Sequence, residues 1–389
     1  MARRGAGTRA VHASRRLLRL LARPAGSVVE EGGIVLQAYR GYGAAGEVFL
    51  IGRVYRQPRW LSGRTGRRHK RAWDDLGRLL FRRGIAGARI RARFAGAETE
   101  AVTDRDGYFR VHLHPAVPPP RGKLWHRMAL QLERPVALAA TGELFLPPGG
   151  GGQLVISDID DTILETGVAN KAVMLWRLFM EGTDYRPPIP GMAELLTALY
   201  RGASGTEHNP LLYVSRAPWT LYEVLDAFFR AQGVPGGPLL FLREWGLRLW
   251  RPFPRRGRDH KLVLIRHMMA LYGELPVVLI GDSVQDDPEL YCQIAHEHPG
   301  RVRAIYIRNI SHAQARVRAI ETLARAVADQ GTSLLLTPDC ADMMAHAAGH
   351  GLIAAAAASA APEQAADRPP QARAADDGAL MLGRDGSRG

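Results

Sequence analysis

Cysteine is nearly absent from this 389-residue chain. Only Cys292 and Cys340 occur, which excludes a disulfide scaffold and points to a reducing, cytoplasmic compartment. Lysine is also scarce, four residues against 48 arginines. Long apolar runs are missing. The longest candidate, Leu352 to Ala361, is alanine-rich, interrupted by Ser359 and shorter than the ~18 residues a membrane helix needs. What is present is an ordinary globular balance, 46% apolar and 23% charged, which excludes collagen-like repetition and wholesale disorder. The length exceeds what one compact core usually holds, so two domains with tails are expected. The formal charge of +14 calls for a polyanionic partner, lipid headgroups or nucleic acid, although heavy arginine, alanine and glycine use also fits a coding bias.

Residues 1–32 form a basic arm. Its first part, Met1 to Arg23, carries seven arginines and no acid, with Leu17, Leu18, Leu20 and Leu21 among them. Arg19 and Arg23 interrupt what would be the apolar core of an export signal, so a disordered tail or an amphipathic helix on anionic lipid is expected instead. Residues 33–148 turn to short β-type runs: Ile34 to Leu36, Val48 to Tyr55, Ala88 to Phe94, Thr99 to Thr103 and Tyr108 to Leu113. Asp106-Gly107 between the last two reads as a hairpin, because glycine tolerates the positive φ of a tight turn. A small antiparallel β-sandwich is the expectation. Within it, 64–83 carries eight cations against Asp74 and Asp75, read as a solvated insertion in preference to a phosphate- or membrane-facing flap.

Pro147 to Gly152 reads as a linker. Beyond it, over 151–354, apolar runs alternate with helical segments, the mark of an α/β fold with a doubly wound parallel sheet. The strand candidates are Leu154 to Ile156, Leu211 to Val214, Leu239 to Leu242, Val277 to Ile280 and Val302 to Ile307. Residues 355–389 are Ala/Pro/Asp/Arg-rich and are expected to be a disordered tail.

Ligands of an open parallel sheet collect at the carboxyl ends of its strands. After the first run stands Ser157-Asp158-Ile159-Asp160-Asp161-Thr162, after the second Ser215-Arg216, and after the fourth Gly281-Asp282-Ser283 with Asp286-Asp287-Pro288. Lys261 opens a helix between the last two. Clustered carboxylates repel unless a cation joins them, and an all-oxygen set facing phosphate favours Mg²⁺. In a chain so poor in lysine, a lysine here is notable: a compact ammonium differs physically from a planar guanidinium fork.

These residues resemble the four motifs of the haloacid-dehalogenase (HAD) phosphatases. More narrowly, Val155 to Thr162, Tyr213-Val214-Ser215 with Pro218-Trp219, Leu279 to Ser283 and Asp287 to Tyr291 resemble the catalytic domain of the actin-patch phosphatidate phosphatases. The resemblance implies a HAD-like domain with a small cap, and catalytic roles for Asp158, Asp160 and Lys261. Asp158 would be the nucleophile that takes up the phosphoryl group, and Asp160 the general acid and base. Asp158, Asp160 (through its carbonyl), Asp282 and Asp287 would hold Mg²⁺, while Thr162 and Ser215 would bind phosphate oxygens. Arg216 departs from the small or amide residue usual there, and either contacts an anionic substrate or faces solvent. The spacing after Gly281-Asp282 leaves Asp286 and Asp287 both open as the second acid, with Asp287 preferred. Asp161 is assigned a supporting or helix-capping role.

The insert between Leu164 and Pro190 carries Val173, Met174, Trp176 and Phe179 where a cap would sit, and 243–256 mixes arginine with Trp245 and Trp250. Such a mixture suits a headgroup–acyl boundary, though also stacking on single-stranded nucleic acid. The expectation is an Mg²⁺-dependent phosphatase acting on a lipid phosphomonoester, phosphatidate to diacylglycerol, without nucleic acid as partner, cytoplasmic or peripheral at an anionic membrane. The alternatives are the same chemistry on a soluble or nucleic-acid phosphomonoester, and a non-catalytic lipid-binding adaptor. The oligomeric state is not legible.

Overall fold

Alternating polar and apolar residues between Val28 and Phe145 build strands whose apolar faces share one core. The computed structural model describes residues 28–31, 33–57, 82–120, 122–147, 152–159, 189–219, 222–243, 257–311 and 313–357. Its first part holds β1 (Val28–Glu31), β2 (Ile34–Ala38), β3 (Gly41–Gly43), β4 (Val48–Arg56), β5 (Arg83–Gly84), β6 (Arg89–Phe94), β7 (Ala97–Val102), β8 (Tyr108–Leu113), β9 (Trp125–Arg134) and β10 (Leu138–Phe145). They form one sheet in the order β1-β2-β4-β3-β10-β9-β6-β7, with β5 and β8 also paired to β4. In β6, Ile90, Ala92 and Phe94 are buried while Arg89 and Arg93 are exposed, the period-2 signature of a strand with one solvated face. Leu36, Leu50 and Val54 from one half of the sheet meet Ile90, Leu130 and Leu132 from the other in a single cluster. The sheet therefore folds over on itself. It is mixed rather than purely antiparallel, since β3 and β10 run parallel (Gly41 beside Leu144, Tyr42 beside Phe145). Strand structure begins at Val28, inside the span expected as a basic arm.

The expected hairpin around Asp106-Gly107 does not form. β7 instead turns back on β6 through Ala95-Gly96, and β8 pairs with β4. The local turn is real: the Asp104 carboxylate accepts from the N–H groups of Asp106 and Tyr108, both at 2.9 Å. At Gly107 (φ +83°) the backbone lies against Val54 O and Gly84 so closely that a Cβ has no room. Gly107 thus seats the chain against β4 as it changes partner, a demand on glycine unrelated to hairpin reversal.

The second part consists of β11 (Leu154–Asp158), β12 (Leu211–Pro218), β13 (Leu239–Arg243), β14 (Val277–Asp282), β15 (Val302–Arg308) and β16 (Ser333–Thr337). Between them lie α1 (Met192–Arg201), α2 (Tyr222–Gln232), α3 (Gly257–Leu271), α4 (Asp287–Glu297), α5 (Gln314–Ala328) and α6 (Cys340–Gly349). All six strands are parallel, in the order β13-β12-β11-β14-β15-β16. Every residue of β11 and β14 is buried, as expected of central strands covered on both faces. Val155, Tyr213 and Ile280 face one core with α1, α2 and α6, while Ile156, Val214 and Leu279 face another with α3, α4 and α5. Each such buried side chain contributes about 2 kcal/mol. The strand order reverses between β11 and β14. In an open sheet that switch point opens a crevice at the carboxyl ends, which here are Asp158 and Asp282.

The two parts are tied by partly buried ionic contacts. Glu223 on α2 receives both amino groups of Arg82 at 2.9 and 3.0 Å and the Gln37 amide at 2.6 Å. Asp226 pairs with Arg40 at 2.6 Å, and Tyr39 stacks on Trp219. The arm before Val28, the basic insertion 58–81, the expected cap up to residue 188, the segment 244–256 and the tail from 358 lie outside the described residues.

Candidate active site

β11 ends in Asp158, β14 ends in Asp282, and α4 begins at Asp287, five residues later. Because neighbouring parallel strands end side by side, these three acids meet at the switch point, and their carboxylate oxygens lie within 4.8 Å of one another. All three are buried. Lys261, from the first half of α3, enters the same space with its side chain 0% exposed. Its Nζ donates to Asp158 Oδ1 at 2.9 Å and to Asp287 Oδ1, above the ring of Tyr291. Burial alone would push the Lys261 ammonium down, but the carboxylates of Asp158 and Asp287 outweigh it and hold it well above its ordinary value.

The ambiguity between neighbouring acids is resolved by position. Asp286 sits at the N-cap of α4 and is exposed, whereas Asp287 turns inward. Glycine at 281 makes this possible, because a Cβ there would collide with the Asp287 carboxylate. The Gly-Asp pair after β14 is therefore a spatial requirement: one residue presents an acid and the other vacates the volume a second acid occupies.

Asp282 Oδ1 accepts from the backbone N–H groups of Val284 and Gln285 at 2.7 and 2.8 Å. The Gln285 amide donates to Asp282 Oδ2 at 2.7 Å and to Asp158 Oδ2 at 3.4 Å, so a neutral donor bridges two acids. Burial, then the nearby Asp287, pushes the Asp282 carboxyl up to about 6 despite those hydrogen bonds. Three acids against one ammonium leave an excess of negative charge in a buried space. A small, hard divalent cation fits that donor set: oxygen ligands only, excess anionic charge, and an acid whose ionised form needs a partner.

Two features of the site are invisible to motif reasoning. Gln285 joins Asp158 to Asp282, and Arg316 on α5 holds the connecting loop by donating to Ser283 O at 2.7 Å and Gln285 O at 2.8 Å. Arg316 also pairs with Glu289, and Ser283 Oγ accepts from the N–H groups of Ile310 and Ser311, both at 3.0 Å. No local pattern marks Arg316; only the packing of α5 beside α4 brings it there.

Of the other residues singled out by sequence, Ser215 lies buried on β12, one position past the residue that pairs with Asp158. Arg216 follows it in the strand, its side chain outside the described residues, as are Asp160, Asp161 and Thr162.

Residues 153–309 match the family described as "Phosphatidate phosphatase APP1, catalytic domain". An uncharacterized protein of Schizosaccharomyces pombe is 28% identical over 162 residues, covering 41% of this chain and 25% of that protein. The phosphatidate phosphatase APP1 of Saccharomyces cerevisiae is 26% identical over 174 residues, 44% of this chain and 28% of its own. The matched stretch thus spans about a quarter of the length of these relatives. Among solved structures, a carbohydrate acetylesterase from Xanthomonas citri aligns over 77% of this chain and 66% of its own, at 10% identity and a TM-score of 0.27, too low to bear on the fold.

Proposed function

Residues 153–309 of this chain belong to the actin-patch-type phosphatidate phosphatase catalytic-domain family, and from that premise we propose that the chain hydrolyses a phosphomonoester, phosphatidate to diacylglycerol, on a HAD-like doubly wound domain. The observation that carries the reading is the meeting of Asp158, Lys261, Asp282 and Asp287 at the strand-order switch point.

Asp158 is the nucleophile. A carboxylate oxygen bonds to phosphorus as the bond from phosphorus to the glycerol oxygen breaks, leaving an aspartyl-phosphate. Asp160 gives its proton to the departing alkoxide, then takes one from the water that cleaves the acyl phosphate, restoring Asp158. Lys261 holds one Asp158 oxygen in place and balances the charge spread over the phosphoryl oxygens. Ser215 and Thr162 donate to those oxygens, and Arg216 serves the anionic substrate. Asp158, Asp282, Asp287 and the Asp160 carbonyl would hold Mg²⁺, which when bound offsets the repulsion between anionic substrate and anionic nucleophile. Among the described residues no helix is long and apolar enough to cross a membrane. Access to a lipid substrate is assigned to peripheral contact, with the arginine-rich arm and the Arg/Trp segment 243–256 on the anionic surface.

The test is phosphate release from phosphatidate in detergent micelles and from soluble and nucleotide monoesters, with Mg²⁺ and with chelator. Mg²⁺-dependent release favouring phosphatidate is expected. Release from soluble monoesters alone would reject the lipid assignment, and no release from any substrate would reject the enzymatic one.

A further inference from the structure

A second cluster with metal-binding chemistry lies on the β-sheet part, in no motif of the phosphatase segment. Glu47, His112 and His114 bring potential ligand atoms within 4.8 Å of one another. The arrangement follows from strand geometry. His112 lies in β8 and His114 directly follows its last residue, Leu113, so in extended chain the two share a face. β4 and β8 pair antiparallel with Val48 opposite Leu113 and Phe49 opposite His112. That register puts Glu47, just before β4, opposite His114 on the same solvent face. One carboxylate and two imidazoles thus converge from two strands.

The surroundings hold the ligands as a metal site requires. His114 Nδ1 lies 3.1 Å from the Gly46 carbonyl, which can only accept, so Nδ1 is the donor and Nε2 is the ring nitrogen left to ligate when the imidazole is neutral. The His112 ring stacks on Phe49 with centroids 4.3 Å apart, which fixes its plane. Its Nε2 faces Glu47 Oε2 at 2.9 Å. A tetrahedral ion with bonds of ~2.0–2.1 Å separates its ligand atoms by roughly 3.3 Å, close to the spacing of this pair, and the third ligand atom lies within 4.8 Å of both.

We propose that Glu47, His112 and His114 form a binding site for a borderline divalent transition-metal ion, zinc being the probe of choice, with open positions left to water. The chemistry differs from that of the acidic cluster: imidazole selects Zn²⁺ over Mg²⁺, whereas three carboxylates favour the harder ion. β8 pairs only with β4 among the described residues, so an ion held across the pair pins an edge strand. Phe49 also contacts His267 of α3, ring centroids 4.9 Å apart, so the pinned edge abuts the helix that carries Lys261.

The test is zinc titration by calorimetry of the metal-stripped full chain in excess Mg²⁺, which on the proposed function would occupy the acidic cluster. Wild type is compared with His112→Ala, His114→Ala and Glu47→Gln. The expected result is one zinc equivalent in wild type that each variant binds at least roughly tenfold more weakly, with zinc raising Tm in wild type alone. All three side chains are at least partly exposed, and unchanged circular dichroism in chelator certifies the variants as folded. Co²⁺ in place of zinc should give visible absorption of histidine coordination that the His112→Ala/His114→Ala chain lacks. Equal zinc stoichiometry and affinity in wild type and variants would overturn the proposal.

Discussion

A buried ammonium between two buried carboxylates is costly to assemble and costly to break, so the environment of Lys261 constrains every residue near it. Asp158 shares its oxygen Oδ1 with Lys261 and its oxygen Oδ2 with Gln285, which aims the carboxylate. Asp158→Asn keeps the shape and removes the carboxylate charge proposed as the nucleophile. Turnover should fall by roughly 10³-fold or more, with an unchanged circular dichroism spectrum. Substantial residual turnover would displace Asp158 from the nucleophile role. Asp282 carries a prediction of the opposite kind, about stability. Its carboxyl is raised from 3.8 to about 6, so the folded, metal-free protein binds this proton more tightly than the unfolded chain does. The group's stabilising contribution is complete below the unfolded value and is lost as pH rises towards 6. Relative to Asp282→Asn, chelated wild type should lose Tm between about pH 4 and about pH 7, and Mg²⁺ should restore it by stabilising the ionised form. A Tm difference between the two proteins that does not change with pH would contradict this.

Among elements, β14, the loop 283–286 and the start of α4 act as one unit, because two acids five residues apart must face the same point. That loop is braced from outside by Arg316 on α5, through two carbonyls and Glu289. Arg316→Ala should release the loop. We expect a kcat roughly tenfold lower and a higher Mg²⁺ concentration for half-maximal activity, with a stability cost of about 1 kcal/mol. Arg316→Lys should rescue little, since one ammonium cannot replace a fork that spans two carbonyls and a carboxylate. Full activity in Arg316→Ala would show that the loop needs no brace. The missed hairpin belongs to this scale as well. Asp104 to Gly107 has the local chemistry of a turn and makes one, but pairing was decided by β4, whose edge offered β8 a full antiparallel register.

Across the whole molecule, the contact between the β-sheet part and α2 turns on Glu223, whose side chain is 6% exposed and that of Arg82 13%. Glu223→Leu leaves the Arg82 guanidinium facing an apolar group in a nearly dry space. The expected loss is about 3 kcal/mol in denaturant unfolding, most of it recovered when Arg82→Met is added, because the penalty comes from the unpaired charge. A negligible loss in the single variant would mean that this ion pair does not tie the two parts together.

The sequence by itself determined the kinds of element and the chemistry at their ends. Short runs of Val, Ile and Leu bounded by turn residues read as strands covered on both faces, and acids directly after such strands lie at carboxyl ends whatever the topology. Asp158, Lys261 and Asp282, which the structure brings together, were legible for that reason, since strand ends and rare residue types are local facts. The tertiary structure alone decided between Asp286 and Asp287, because the choice depends on which way α4 faces and on the volume left by Gly281. It also recruited Gln285 and Arg316, paired β8 with β4, and set two histidines beside a glutamate 65 residues away from one of them. Such meetings depend on register and packing between segments distant in the chain, which a one-dimensional pattern does not encode.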